Sequence, residues 1–252
     1  MRVFGKKPSF YYRLVQPAID YRQILDRYKQ IDAAPASLTE ADFKSRAEFL
    51  LEKIKVSPNY ANLLHGVHIP LVCWQEDQEP DIGANLESTL LPKLHKSFVS
   101  RYPDAHFKAV LQSNSVLPGN ITLDPNSRYD AFLAACEKSP VIGWYFPQAL
   151  QEFDVNSQRL QMASLPPLEG ANLCLSGGKD ICAALTGTPD LLISDEFYAP
   201  VLCMSAYVHK DPRLVLLLKS YGPHMEFWCM TQMLTSDTPQ VSEQWAGGLT
   251  VF

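Results

Sequence analysis

Apolar positions in the first 60 residues recur at helical spacing. Tyr21, Ile24, Leu25, Tyr28 and Ile31 fall on one helix face, and Pro17 is placed as a first helical residue. Ser37-Leu38-Thr39-Glu40 matches a capping box, with the Ser37 hydroxyl on the Glu40 amide and the Glu40 carboxylate reaching back. Phe43, Ala47, Leu50 and Ile54 then form a second stripe, closed by Ser57-Pro58 because proline cannot continue the ladder. Two amphipathic stripes need a surface to cover. Residues 1–60 therefore read as a helical segment packed on a main body spanning 61–252.

From His68 the period changes. IPLVCW (69–74) reads as a strand, followed by the acidic loop QEDQEPD. A helix is expected over 90–102, with Pro92 tolerable only in its first turn. FKAVLQS (107–113) is a strand, Asp124-Pro125 caps a helix running to Lys138, and VIGWYF (141–146) is a strand again. This alternation suggests crossover units and partly parallel pairing.

The last third behaves differently. Three β-rich runs, 200–208, 213–221 and 225–234, are separated by short turn-rich gaps, which predicts an antiparallel meander. Residues 214–218 are apolar on both pleat faces, so that strand should be central and covered on both sides. The tail 236–248 is polar and glycine-bearing and reads as loop. The expected fold class is α+β (mixed α/β): a central mixed sheet with a C-terminal antiparallel meander, packed by helices including the N-terminal pair.

Composition narrows the class further. The 252 residues are 46% apolar and 19% charged, a globular balance with a net charge of −5. Residues 1–60 carry eleven Lys/Arg against seven Asp/Glu, and the remainder eleven against twenty. An acidic body argues against general nucleic-acid binding. The six cysteines lie in apolar surroundings with no CxxC spacing, as buried reduced thiols would. No run is long enough for a signal peptide or a membrane span, so a cytoplasmic protein is expected.

Candidate chemistry is sparse. His65, His68 and Cys73 lack the geometry of a shared metal, and no metal is expected. His209 and His224 fall in successive turns, at opposite ends of the meander, and His95 and His106 carry no signal. Asp195-Glu196 precedes an apolar run and could lie at a strand mouth. Glu76, Asp77, Glu79 and Asp81 form a partner-facing acidic patch.

The stretch LCLSGGKD (173–180) is the sharpest feature. An apolar strand, a double glycine and a helix start is an arrangement that puts backbone amides on an anion. Ser176-Gly177-Gly178-Lys179-Asp180 resembles the PP-loop of the ATP pyrophosphatase family, which holds the pyrophosphate of ATP while a substrate is adenylated. The resemblance implies ATP with Mg²⁺ held by Ser176, Gly177, Gly178, Lys179 and Asp180. It covers five residues, and Ile181 stands where that family has a serine or threonine. In that family the loop follows an early strand of a parallel domain, whereas only 72 residues follow Asp180 here and read as a meander. The preferred reading is a glycine turn that opens a short helix. Two function classes result. The first is a non-catalytic protein-interaction or ligand-binding module without a cofactor, in which the acidic loop and the basic N-terminal helices meet partners. The alternative is an enzyme that seats a nucleotide or other phosphate-bearing substrate at 176–180.

Overall fold

The sheet predicted for the main body divides in two. The structure, a computed structural model, describes residues 12–74, 79–112, 115–194, 196–231 and 241–252. A four-stranded antiparallel sheet runs in the order β1 (Ile69–Cys73), β4 (Val141–Phe146), β13 (Leu249–Val251) and β6 (Leu173–Leu175). A five-stranded mixed sheet runs β12 (Trp245–Ala246), β7 (Val201–Cys203), β9 (Leu214–Tyr221), β10 (His224–Thr231) and β2 (Phe107–Leu111). Two small ribbons complete the set. One joins β3 (Ile121–Leu123) to β8 (Tyr207–His209), the other β5 (Glu152–Phe153) to β11 (Val241–Ser242).

The pairing corrects part of the crossover expectation. β1 and β4 are antiparallel neighbours, and β2 lies in the other sheet, parallel to β10. The meander survives as β7–β9–β10, with β9 central, while 232–234 of its third run lie outside the described residues. Run 200–208 breaks at Met204–Ala206, and its second half leaves to pair with β3. The tail 236–248 is not all loop: 236–240 lie outside the described residues, but β11 and β12 fall in the rest of it, and just past it β13 inserts between β4 and β6.

The helices are α1 (Tyr21–Gln30), α2 (Glu40–Val56), α3 (Ile82–Asn85), α4 (Leu91–Arg101), α5 (Tyr129–Lys138), α6 (Val155–Ser164) and α7 (Gly178–Gly187). The caps sit later than expected. Asp20, not Pro17, caps α1, its carboxylate accepting from the Gln23 amide at 2.9 Å. Thr39, not Ser37, caps α2 by accepting from the Asp42 amide. α5 starts at Tyr129, because Asp124 is used in a turn with the Asn126 amide and Arg128 takes a left-handed conformation (φ 57°). The helix expected at 90 begins eight residues earlier. It runs through a π turn at Leu86–Leu90, which ends just before Pro92 and absorbs the ladder bond that proline cannot make.

Layering follows from burial. α2 and α6 cover one face of the four-stranded sheet, through Ala47, Leu50, Ile54 and Met162 against Trp144, Phe146 and Leu249. α7 lies in one apolar cluster with residues of both sheets, and nine of its ten residues are buried. Only a helix apolar nearly all round can occupy such a place, as DICAAL is. Among the described residues, no helix is long and apolar enough to cross a membrane.

Gly83 shows how tight this packing is. A Cβ there would lie 1.9 Å from the Leu117 carbonyl oxygen, so α3 can pass the 117–118 backbone only without a side chain. Gly83→Ala is therefore expected to lower stability by about 1–3 kcal/mol, since backbone rather than a flexible side chain must yield. Urea denaturation against wild type would measure it, and an unchanged midpoint would contradict the close approach.

Candidate functional site

The 176–180 segment is the obvious place to look for chemistry. β6 delivers Ser176 to the base of α7, and every residue from Ser176 to Asp180 is buried. The two glycines are required by space rather than by turn geometry. Gly177, the N-cap, is extended (φ −125°), and a Cβ there would meet the Tyr129 and Tyr207 rings at 2.8 Å each. At Gly178 a Cβ would meet Tyr207 at 2.7 Å. The two tyrosine rings stand edge to face at 5.5 Å and close the space above the helix start.

Three of the four backbone amides of 177–180 are already spent. Gly177 N–H donates to Asp180 Oδ1 at 2.9 Å. Lys179 and Asp180 N–H donate to the Tyr129 hydroxyl at 3.1 and 3.3 Å. A phenol oxygen thus occupies the position at which a phosphate oxygen would accept. The Tyr129 O–H donates a hydrogen bond to Asp180 Oδ1 at 2.7 Å, and Thr250 donates to Oδ2 at 2.5 Å. Ser176 Oγ lies 3.2 Å from Thr250 Oγ1. Asp180 is therefore the hub of a buried polar network that ties α7 to α5 and β13. Burial raises its carboxyl above the usual range, and the donors around it pull the other way. Burial, then the nearby Asp180 charge, holds the Tyr129 hydroxyl well above its ordinary value.

Lys179 is 7% exposed and lines two small clefts, of about 50 and 70 Å³, that share Asn85. Glu79 and Glu137 line the larger one, so the structure brings one member of the acidic patch to the same cleft as Lys179. Asp81 serves the fold instead. Its carboxylate accepts from Ala84 N–H at 2.7 Å and Gly119 N–H at 2.9 Å, which caps α3 and lowers its pKa. Glu76, Asp77 and Asp195 lie outside the described residues. Glu196 is exposed.

The histidines and cysteines sort cleanly. His209 bonds the Asp211 amide in its turn, and His68 packs near Trp144 and Phe146. His106 and His224, which the sequence gives no reason to join, stack at 3.7 Å, with His224 Nδ1 accepting from the His106 amide. Among the described residues no three His, Cys, Asp or Glu side chains converge as a metal site. All six cysteines are buried and unpaired, and burial pushes the thiols of Cys73, Cys174, Cys182 and Cys203 up. None of these four is a thiolate at neutral pH.

Among the described residues, grooves of about 660 and 400 Å³ have the size of a binding site, and the larger is the more basic. It lies between α1 and α4 and is lined by Arg22, Arg27, Lys96 and Arg101, with Asp20 and Asp26 on its wall. Arg27 caps the end of α7 by donating to the Gly187 carbonyl at 2.8 Å, and Asp190 holds Arg101 at 2.9 Å. Arg22 and Lys96 are exposed. Neither has an acid partner among the described residues. This groove was invisible in the sequence beyond the excess of positive charge in residues 1–60, because half of its cations come from α4.

No family model, no curated protein and no solved structure matches the chain.

Proposed function

We propose that the chain is a non-catalytic protein-interaction module that receives an acidic segment of a partner in the groove between α1 and α4. The observation that carries this reading is the convergence of four cations on one groove, with Arg22 and Lys96 lacking acid partners among the described residues. Exposed ion pairs contribute only about 0.2–1 kcal/mol each, so such a groove favours fast, salt-dependent association over tight binding. The N-terminal helices are the basic part of an otherwise acidic chain, which orients an acidic partner toward this face and away from the rest.

A poly-glutamate peptide titrated against the protein tests this directly. Binding should weaken steeply with salt, and the double charge reversal Arg22→Glu with Lys96→Glu should weaken it roughly ten-fold or more without shifting the melting temperature. Binding that ignores both salt and reversal would remove the groove from consideration. A melting-temperature rise with ATP or pyrophosphate and Mg²⁺ that Lys179→Ala abolishes would place the ligand at 176–180 instead.

A further inference from the structure

The outer edge of β2 has the properties of a self-pairing strand. β2 is the terminal strand of the five-stranded sheet, and among the described residues nothing pairs with its outer side. Its ladder to β10 has a fixed parity. Met225 N–H donates to the His106 carbonyl at 3.1 Å, and Gln112 N–H donates to the Cys229 carbonyl at 3.0 Å. Even-numbered residues therefore bond β10, and the amides and carbonyls of Phe107, Ala109 and Leu111 point outward. Lys108 and Ala109 are exposed, and Leu111 is 41% exposed, an apolar side chain facing solvent at a strand edge.

We propose that β2 pairs antiparallel with β2 of a second copy of this chain, with Ala109 on the two-fold axis. Sequence and register choose this occupant. With Ala109 opposite Ala109, all five residues of FKAVL are paired, and the outward amides of Phe107, Ala109 and Leu111 meet carbonyls of the same three residues. Each half-exposed Leu111 falls opposite Phe107 of the other copy, an aromatic–aliphatic cross-strand pair formed twice. Phe107 is already held in place, stacked on His95 at 5.4 Å. Each Lys108 stays beside Glu226 of its own sheet and faces Val110 of the other copy. Sliding the pair so that Phe107 meets Ala109 would set Lys108 against Lys108, a like-charge opposition that disfavours that register. In the proposed register the edge is complementary to itself.

Sedimentation or light scattering on the full chain tests the proposal. The expected result is a concentration-dependent species of twice the 28.3 kDa chain mass. Ala109→Pro removes an outward amide that the monomer does not use, so the melt should stay put while the dimer weakens at least about ten-fold. Should that proline disturb folding, Leu111→Asp, at an exposed position, takes its place. Ala109→Cys should cross-link to itself on mild oxidation, because hydrogen-bonded pairs place Cα atoms about 5.5 Å apart, and Lys108→Cys should not. A monomer at every concentration overturns the proposal and leaves the edge to a foreign strand. A dimer indifferent to residues 109 and 111 overturns β2 as its seam. Neither result touches the α1–α4 groove, which is scored by peptide binding.

Discussion

Asp180→Ala is expected to cost about 3–5 kcal/mol, a large share of the 5–15 kcal/mol by which domains are ordinarily stable. The reason is the number of donors that converge on one carboxylate. Removing it strands the Gly177 amide, the Tyr129 hydroxyl and the Thr250 hydroxyl in a place water does not reach. An orphaned buried donor costs about 1–3 kcal/mol, and these three share one cavity, so the sum saturates. Asp180→Asn keeps an acceptor oxygen and should cost less, about 1–3 kcal/mol. Urea denaturation of both variants gives the values. An alanine variant as stable as wild type would show that water or a rearranged Ser176 satisfies the site.

The same carboxyl makes a prediction in pH. Its folded pKa is raised above the unfolded value of 3.8, so the folded state holds the proton more tightly. The stability it contributes is fully present below the unfolded pKa and is lost as pH rises through the folded one. The advantage of wild type over Asp180→Asn should therefore be largest at the acid end and shrink as pH rises. Taking the difference between the two proteins cancels carboxylates such as Asp81 and Asp211, whose lowered pKa values act in the opposite sense. An advantage that grew with pH would mean that the donors outweigh burial.

What could be read from the sequence was whatever is periodic. Phe43, Ala47, Leu50 and Ile54 are each fully buried, because a 3.6-residue period held over about three turns has one solution. The hairpin at Gly222 was legible for a similar reason: the residue sits at φ +56°, where glycine is favoured between two β runs. Strand partners were not legible. β1 and β4 have the texture of crossover strands, yet nothing local records that β2, between them in sequence, belongs to the other sheet. β13 is three residues long, too short for a period, and only its neighbours reveal why Thr250 is polar. The helix expected after the double glycine is present, beginning two residues earlier than Asp180, but the glycines do not serve a tight turn, since Gly177 is extended. Their cause is two tyrosine rings, and Tyr129 lies 48 residues before Gly177 in the chain. The hub around Asp180 draws on Tyr129 and Thr250, separated from it by 51 and 70 residues. Convergence of that kind leaves no local trace.

The N-terminal helices depend on the main body through one side chain in particular. Trp144 on β4 is fully buried, and its indole N–H donates to the Ala47 carbonyl of α2 at 2.7 Å. The ring fills the space between the four-stranded sheet and the α2 stripe, beside Leu50 and Ile54. Trp144→Ala combines a large cavity with a carbonyl left unpaired, and is expected to cost about 3–5 kcal/mol. Trp144→Phe restores most of the volume and none of the hydrogen bond, so about 1–3 kcal/mol is expected. The loss should be uneven along the chain. Because α2 rests on this contact while α7 belongs to the separate core cluster that includes residues of both sheets, hydrogen exchange in 40–56 should accelerate more than in 178–187. Equal acceleration in both segments would mean that the helical segment and the body open as one unit, and that Trp144 is a general core residue rather than the joint between them.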